Sequence, residues 1–239
     1  MTPQSRPDRR SAASCRDGFR VVFILLLAAA TGLPAGADTV AGRLKILEKG
    51  QDQSSREHRS AVVYYVPDAP VDVLPLDEPQ SVVMVRKEFV PRILTVTRGT
   101  TVAFPNEDGI LHNVFSLSGK NRFDLGLYRR GESADTKLDH PGIVQIFCNV
   151  HHSMVAYVLV LDTPFYATPE KDGSFRFDGV PAGPGELVVW HERAEPTRIR
   201  LQGPSLHLEP VVEIEKPKIP RHRNKFGKPY TRKRRGKAY

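Results

Sequence analysis

The sequence predicts an all-β protein, because its apolar stretches have the length and composition of strands. Nearly every such stretch is short, rich in β-branched or aromatic residues, and bounded by Gly, Pro, Asn or Asp. Helical periodicity is weak throughout the chain. Strands are predicted at residues 40–47, 61–66, 82–86, 92–97, 100–104, 112–117, 142–148 and 156–162. Short strands at this spacing favour a β-sandwich.

The amino terminus has the features of a signal peptide. Five arginines precede an apolar run at residues 21–30, and the small residues Ala35-Gly36-Ala37 follow it. An apolar run of about ten residues is too short to span a bilayer, which needs roughly 20. We therefore predict that residues 1–37 are removed after Ala37, with an uncleaved anchor as the alternative. The expected location is the periplasm, or outside the cell as the alternative, and the pair Arg9-Arg10 leaves the export route open.

A separate β segment is predicted at residues 163–215. Asp172-Gly173 is a hairpin signal, Phe175 and Phe177 alternate with polar neighbours, and a second turn is expected at residues 181–185. Over about fifty residues this stretch resembles the small transthyretin-like or carboxypeptidase-regulatory-like β-sandwich domains. Residues 38–162 are predicted to form the first domain.

The last 24 residues differ sharply in charge from the rest. Residues 216–239 contain eleven Lys or Arg and no Asp or Glu, whereas residues 38–215 contain 25 acidic and 19 basic residues. This composition predicts a disordered basic tail. We expect it to contact anionic lipid, acidic polysaccharide or an acidic redox partner, with a solvated tail without a partner as the alternative. Nucleic acid is not expected as a partner of an exported chain.

Cysteine usage points to the candidate site. Cys15 leaves with the predicted signal peptide, so Cys148 is then the single cysteine of the remaining chain. A lone thiol cannot form an internal disulfide, and in an oxidising compartment it is protected by burial or by metal ligation.

The neighbours of Cys148 favour metal ligation. Cys148, His151 and Met154 follow a predicted strand at Cys-x2-His-x2-Met spacing. His112 begins another predicted strand, which can pair beside the strand that ends at Cys148. Thiolate and thioether are soft donors, imidazole suits copper, and two histidines with one cysteine and a weak axial methionine form an electron-transfer site. These residues therefore predict one copper ion in a type 1-like site.

These residues make the chain similar to the cupredoxin family, with a ligand loop most similar to that of the amicyanins. The resemblance covers roughly residues 38–162 and is strongest from residue 100 onward. It implies a Greek-key β-sandwich with His112, Cys148, His151 and Met154 as the four ligands, and it implies that Asn113 ties the two ligand-bearing loops together. The ligand loop differs from the family in having Asn149-Val150 before the histidine, where a proline often stands. The loop also resembles that of the larger cupredoxin-like proteins of methylamine utilisation, in which a transthyretin-like segment follows.

Each donor also has a simpler interpretation. Cys148 can be a small buried hydrophobic residue, Met154 can fill the core, and His152 competes with His151 for the metal. The remaining histidines have no comparable donor cluster and are expected at the surface, in turns or packed in the protein; they are His58, His140, His191, His207 and His222. Trp190 is expected to pack between the two domains.

The predicted function is one-electron transfer through Cu(II)/Cu(I), without bond chemistry, so an enzyme is not expected. The resemblance implies a redox partner such as a c-type cytochrome or a dehydrogenase. Two alternatives remain, a copper carrier or sensor with the same ligands and a metal-free β-sandwich interaction module. A catalytic copper enzyme is less favoured, because four protein ligands leave no open position for a substrate.

Overall fold

A computed structural model describes residues 38–230, so the predicted signal peptide lies outside the described residues. Strands dominate this part of the chain, and the helical elements in it are one turn of α-helix, α1 (Ser54–Glu57), and a 3-10 turn at His58–Ser60. The strands, in chain order, are β1 (Asp38–Arg43), β2 (Lys45–Glu48), β3 (Gln51–Asp52), β4 (Ala61–Pro67), β5 (Gln80–Ser81), β6 (Val83–Val85), β7 (Glu88–Val90), β8 (Ile93–Thr97), β9 (Thr100–Pro105), β10 (His112–Ser116), β11 (Phe123–Tyr128), β12 (Ser133–Leu138), β13 (Gly142–Phe147), β14 (Val155–Leu161), β15 (Tyr166–Ala167), β16 (Ser174–Val180), β17 (Gly185–His191), β18 (Thr197–Leu201) and β19 (Val211–Glu213). Among the described residues no helix has the length and apolar character needed to cross a membrane.

The protein is an all-β sandwich fold, which confirms the predicted fold class. The first group of strands, here called the first sandwich, comprises β5 to β14. It contains a five-stranded sheet in the order β11-β10-β13-β14-β8, a three-stranded sheet in the order β12-β9-β5, and the hairpin β6-β7. Its core contains Val96, Phe104, Val114, Ile146 and Val158, all fully buried. Each predicted strand overlaps an observed one, and the structure adds β5, β7, β11 and β12 within the first sandwich.

The second group of strands combines both ends of the described chain. Here β4 pairs with β17 along its whole length, from Ala61 opposite His191 to Pro67 opposite Gly185. Likewise β1 pairs with β16, and β2 pairs with β19. Strand pairing thus joins residues 38–67 to the carboxy-terminal β segment, whereas the sequence analysis assigned them to the first domain. The reason is that periodicity identifies a strand but does not identify a partner 120 residues away.

A third apolar cluster lies between the two groups. In β14, alternate side chains point to opposite faces, so that Val158 faces the core of the first sandwich while Tyr157 and Leu159 face the second group. Trp190 of β17 reaches the same cluster and packs edge-on against Tyr157, with 5.4 Å between the ring centroids. The two groups share an apolar interface, at which Trp190 packs as the sequence analysis expected.

The Asp172-Gly173 pair forms a turn, as predicted, but the strands on either side of it are not partners. Gly173 has a φ of 85°, and its backbone N–H donates to Glu170 O. The strand before it, β15, pairs with β4, and the strand after it, β16, pairs with β1. The turn connects two sheets and does not close a hairpin.

Candidate metal centre

The ligand loop is the connection between two central strands of the first sandwich. Phe147, at the end of β13, is opposite Val155, at the start of β14, so residues 148–154 form the loop. The loop is closed by two backbone hydrogen bonds, from Cys148 N to Met154 O at 3.3 Å and from Met154 N to His151 O at 3.0 Å. Such closure fixes the relative positions of Cys148, His151 and Met154.

The fourth predicted residue is brought to this loop by strand pairing. In the antiparallel pair of β10 and β13, Phe115 is opposite Phe147. His112 lies three residues before Phe115, and antiparallel pairing therefore directs it toward the loop that follows Phe147. This is the neighbourhood that the sequence analysis predicted.

The donor atoms of three side chains converge. The ligand atoms of His112, Cys148 and His151 all lie within 4.8 Å of one another. Nδ1 of His112 is 3.7 Å from Cys148 Sγ and 3.2 Å from Nδ1 of His151. Both His112 and Cys148 are fully buried. Two imidazole nitrogens and a thiol that face one point form a group that can hold a metal ion.

A carboxylate contacts the ring nitrogen of His112 that does not face the cluster. Nε2 of His112 lies 2.8 Å from Asp108 Oδ2, which leaves Nδ1 free to face Cys148 and His151. A histidine that binds metal through one ring nitrogen almost always donates from the other to a carboxylate, a carbonyl or water. The donor set and its supporting carboxylate therefore fit a metal.

Asp108 is itself held by backbone donors. Its carboxylate accepts from the N–H groups of Arg86 and Lys87, in the turn between β6 and β7. Burial raises the pKa of this carboxyl, but these N–H groups and the ring of His112 outweigh it and leave the pKa below its ordinary value. Asp108 is therefore ionised at neutral pH and can accept a hydrogen bond from Nε2 of His112. The sequence analysis did not identify this residue, although an aspartate four positions before a candidate ligand is a signal for it.

His151 is also tuned toward its neutral form. Desolvation lowers its pKa from the ordinary value, and the neighbouring His112 and Lys87 lower it further, while Asp108 opposes them. Metal binds the neutral form of imidazole. The other histidine of the loop, His152, is exposed and lies outside the converging group.

Met154 is buried, with 1% of its surface exposed, and it belongs to the core of the first sandwich. Its backbone closes the ligand loop, as described above. Its role as axial ligand stays a prediction.

Asn113 differs from its expected role, because its amide donates to Asp124 Oδ1 and Gly126 O, both at 2.7 Å, and so ties β10 to β11.

Part of the basic tail covers the ligand loop. We call residues 216–230 the strap, and they have defined contacts where the sequence analysis predicted disorder. The strap is fixed at one end by Arg92, which donates to Lys218 O, and further along by Lys225, whose backbone N donates to Asn149 Oδ1 and whose Nζ pairs with Asp124 at 2.8 Å. The composition of the strap did not predict these contacts, because the apolar and acidic groups that the strap contacts lie on other segments of the chain. Residues 231–239 lie outside the described residues.

Two aromatic contacts place the strap on the loop itself. The ring of His222 stacks on Phe147, with 4.1 Å between centroids and 15° between planes, and its Nε2 lies 2.9 Å from His152 O. The ring of Tyr230 packs on His152 with 3.5 Å between centroids. No signal in the sequence linked His222 or Tyr230 to the site.

Comparison with known proteins finds likeness in structure but not in sequence. No protein-family model matches the chain, and no curated protein matches it. Among solved structures, a purple cupredoxin from Nitrosopumilus maritimus is 20% identical, with 34% of this chain and 99% of that chain covered and a TM-score of 0.31. A variant of amicyanin with Cu(I) is 19% identical, with 36% and 85% covered and a TM-score of 0.34. A copper-containing nitrite reductase from Thermus scotoductus SA-01 is 23% identical, with 49% and 28% covered and a TM-score of 0.35. These likenesses are too partial to assign a role to any residue.

Proposed function

We propose that the chain is an exported mononuclear copper protein of the cupredoxin class that carries single electrons. The observation that carries the proposal is the convergence of His112 Nδ1, His151 Nδ1 and Cys148 Sγ within 4.8 Å, with Asp108 behind His112. Met154 is proposed as the weak axial ligand. Export, with the periplasm as the expected location, rests on the amino-terminal sequence alone.

The donor set favours copper over zinc. Structural zinc sites take four thiolate, imidazole or carboxylate donors, whereas the fourth donor proposed here is the thioether of Met154. Two histidines, one cysteine and a thioether suit copper. A copper ion bound there would supply a one-electron couple between Cu(II) and Cu(I).

The protein's own residues would keep the site rigid and dry. His112 is fixed by Asp108, and Cys148 and Met154 are fixed by the hydrogen bond between their backbones. Phe115 and Phe147 are buried beside the loop, and the apolar surroundings of a metal control solvent access and redox potential. Four protein donors leave no position for a substrate, which supports a carrier and not an enzyme.

The proposed partners are a redox protein, such as a c-type cytochrome or a dehydrogenase, and an anionic surface. The second proposal rests on the basic residues after the strap, Arg232 to Arg235 and Lys237. A chain that ends at Tyr230 should lose affinity for anionic vesicles. Vesicle sedimentation at low and high salt measures this, and equal binding of the two chains would contradict it.

Cyclic voltammetry of the copper-loaded protein tests electron transfer against the alternatives. A reversible one-electron couple, with copper retained through repeated cycles against a competing chelator, is the expected result. Loss of copper to the chelator in either oxidation state would favour a carrier or sensor. A protein that takes up no copper would favour the metal-free interaction module.

A further inference from the structure

Tyr230 is a half-buried residue beside the ligand loop, and its hydroxyl has no partner among the described residues. Its hydroxyl oxygen is shielded from solvent, and no described residue forms a hydrogen bond with it. Burying a hydroxyl without a partner costs about 1–3 kcal/mol, so native structures seldom leave one unpaired. An unpaired hydroxyl at this position calls for a partner that residues 38–230 do not supply.

The surroundings of Tyr230 identify where that partner lies. The ring packs against His152, which directly follows the predicted ligand His151, and it meets His222 edge-on at 5.3 Å between centroids. Burial raises the pKa of Tyr230 to about 12, and the charge of the Cys148 thiolate acts in the same direction. The ring of Tyr230 therefore lies against the loop that carries the three predicted ligands Cys148, His151 and Met154.

The strap holds Tyr230 in this position through contacts on both sides of the loop. Lys225 binds Asn149 and Asp124, and Asn224 closes a tight turn by accepting from the backbone N–H groups of Phe226 and Lys228. The chain then returns from this turn toward His152. A segment that only covered the loop would not require a hydroxyl shielded from solvent at its end.

We propose that Tyr230 belongs to the metal centre, its phenol oxygen being an additional donor to the ion held by His112, Cys148 and His151. This inference rests on the proposed function. With a phenol oxygen added to the thiolate and the imidazoles, the site would differ from one in which a thioether is the single weak donor. It also makes strap docking and metal binding interdependent, because a ligand on the strap favours the docked state when the metal is bound.

Tyr230→Phe separates this role from simple coverage, because phenylalanine keeps the ring on His152 and removes the oxygen alone. Tyr166→Phe is the matched control, since Tyr166 is a half-buried tyrosine on β15 in the second group of strands. Each full-length protein is loaded with one equivalent of Cu(II). The electron paramagnetic resonance spectrum, the visible absorption and the copper dissociation constant are then recorded.

The expected result is a changed copper hyperfine splitting and absorption maximum in Tyr230→Phe, with copper binding roughly tenfold weaker. Tyr166→Phe should match the wild type. In trypsin digestion, copper should slow cleavage after Lys225 in the wild type and not in Tyr230→Phe. If Tyr230→Phe matches the wild type in all four measurements, the assignment of Tyr230 is overturned while the copper site stands. If the wild type binds no copper, the proposed function is overturned together with it.

Discussion

At the scale of single residues, Asp108 links the fold to the candidate metal centre. Its carboxylate joins Nε2 of His112 to the backbone of the β6–β7 turn. Replacing Asp108 with Asn removes the charge that orients the imidazole, and we expect copper binding to weaken roughly 10- to 100-fold. Competition with a chelator of known affinity measures the change. Asp139→Asn is the control, because Asp139 forms an exposed ion pair with Lys137, and equal affinities of the two variants would contradict this role for Asp108.

His191 makes stability depend on pH independently of the metal. Burial lowers its pKa to about 4, and its Nδ1 accepts a hydrogen bond from Arg193 N. Because the folded-state pKa lies below the unfolded value of about 6.5, the unfolded state binds the proton more readily, and stability is lost as pH falls from about 6.5 to about 4. The full loss is about 3 kcal/mol. His191→Asn keeps an acceptor without a titrating ring, so urea unfolding should show the stability of wild type falling relative to this variant across that pH window. A constant difference would refute the assignment.

The sequence predicted the donors but not the residues around them. Cys148, His151 and Met154 lie within seven residues, and their spacing is visible without a structure. Asp108 was missed because its spacing four positions before His112 gains meaning only once the turn brings the carboxylate to the second ring nitrogen. Tyr230 was missed because its relation to the ligand loop depends on how the strap returns to His152 from a distant part of the chain.

At the scale of elements, the turn at Gly173 requires glycine for two reasons. Its φ of 85° is unfavourable for other residues, and a Cβ there would overlap the carbonyl oxygen of Leu44. Gly173→Ala should lower the free energy of unfolding by about 2 kcal/mol or more. Gly179 has a similar φ of 78° but open space around it, so Gly179→Ala carries the backbone cost alone, about 1 kcal/mol. Denaturant unfolding compares the two, and equal losses would show that the overlap with Leu44 does not matter.

Strand prediction succeeded where the sequence of the strand is continuously apolar or alternates between apolar and polar residues. It missed β11, which Gly126 interrupts, and β12, in which polar and charged side chains alternate with only partly buried ones. Both lie at the edges of their sheets, where one side of the strand has no neighbour. The burial that produces a clear apolar pattern is weakest at such edges.

At the scale of the whole molecule, the two groups of strands depend on their shared apolar interface. Trp190 is 4% exposed and packs with Tyr157 in this interface. Trp190→Ala should cost about 3–5 kcal/mol of stability. Leu74→Ala is the control, because Leu74 is 76% exposed and should change stability little. Thermal unfolding measures both, and a melting temperature unchanged by Trp190→Ala would contradict a stabilising interface.

The overall arrangement could not be predicted from the sequence, because it depends on the pairing of segments that are far apart in the chain. The pairing of β4 with β17 and the return of the strap to Asn149 join segments separated by 76 to more than 120 residues. Local patterns fix the type of an element, whereas the choice of partner follows from packing of the complete chain. One consequence is that the strap, which by composition resembles a disordered tail, belongs to the metal centre's surroundings.

The most direct test of the central claim is the visible absorption of the Cu(II)-loaded protein beside a Cys148→Ser variant. If His112, Cys148 and His151 hold one copper ion, the wild type should bind one equivalent and show an intense thiolate-to-copper band that Cys148→Ser lacks. A colourless wild-type protein without stoichiometric copper, or a band that survives in Cys148→Ser, would contradict the account.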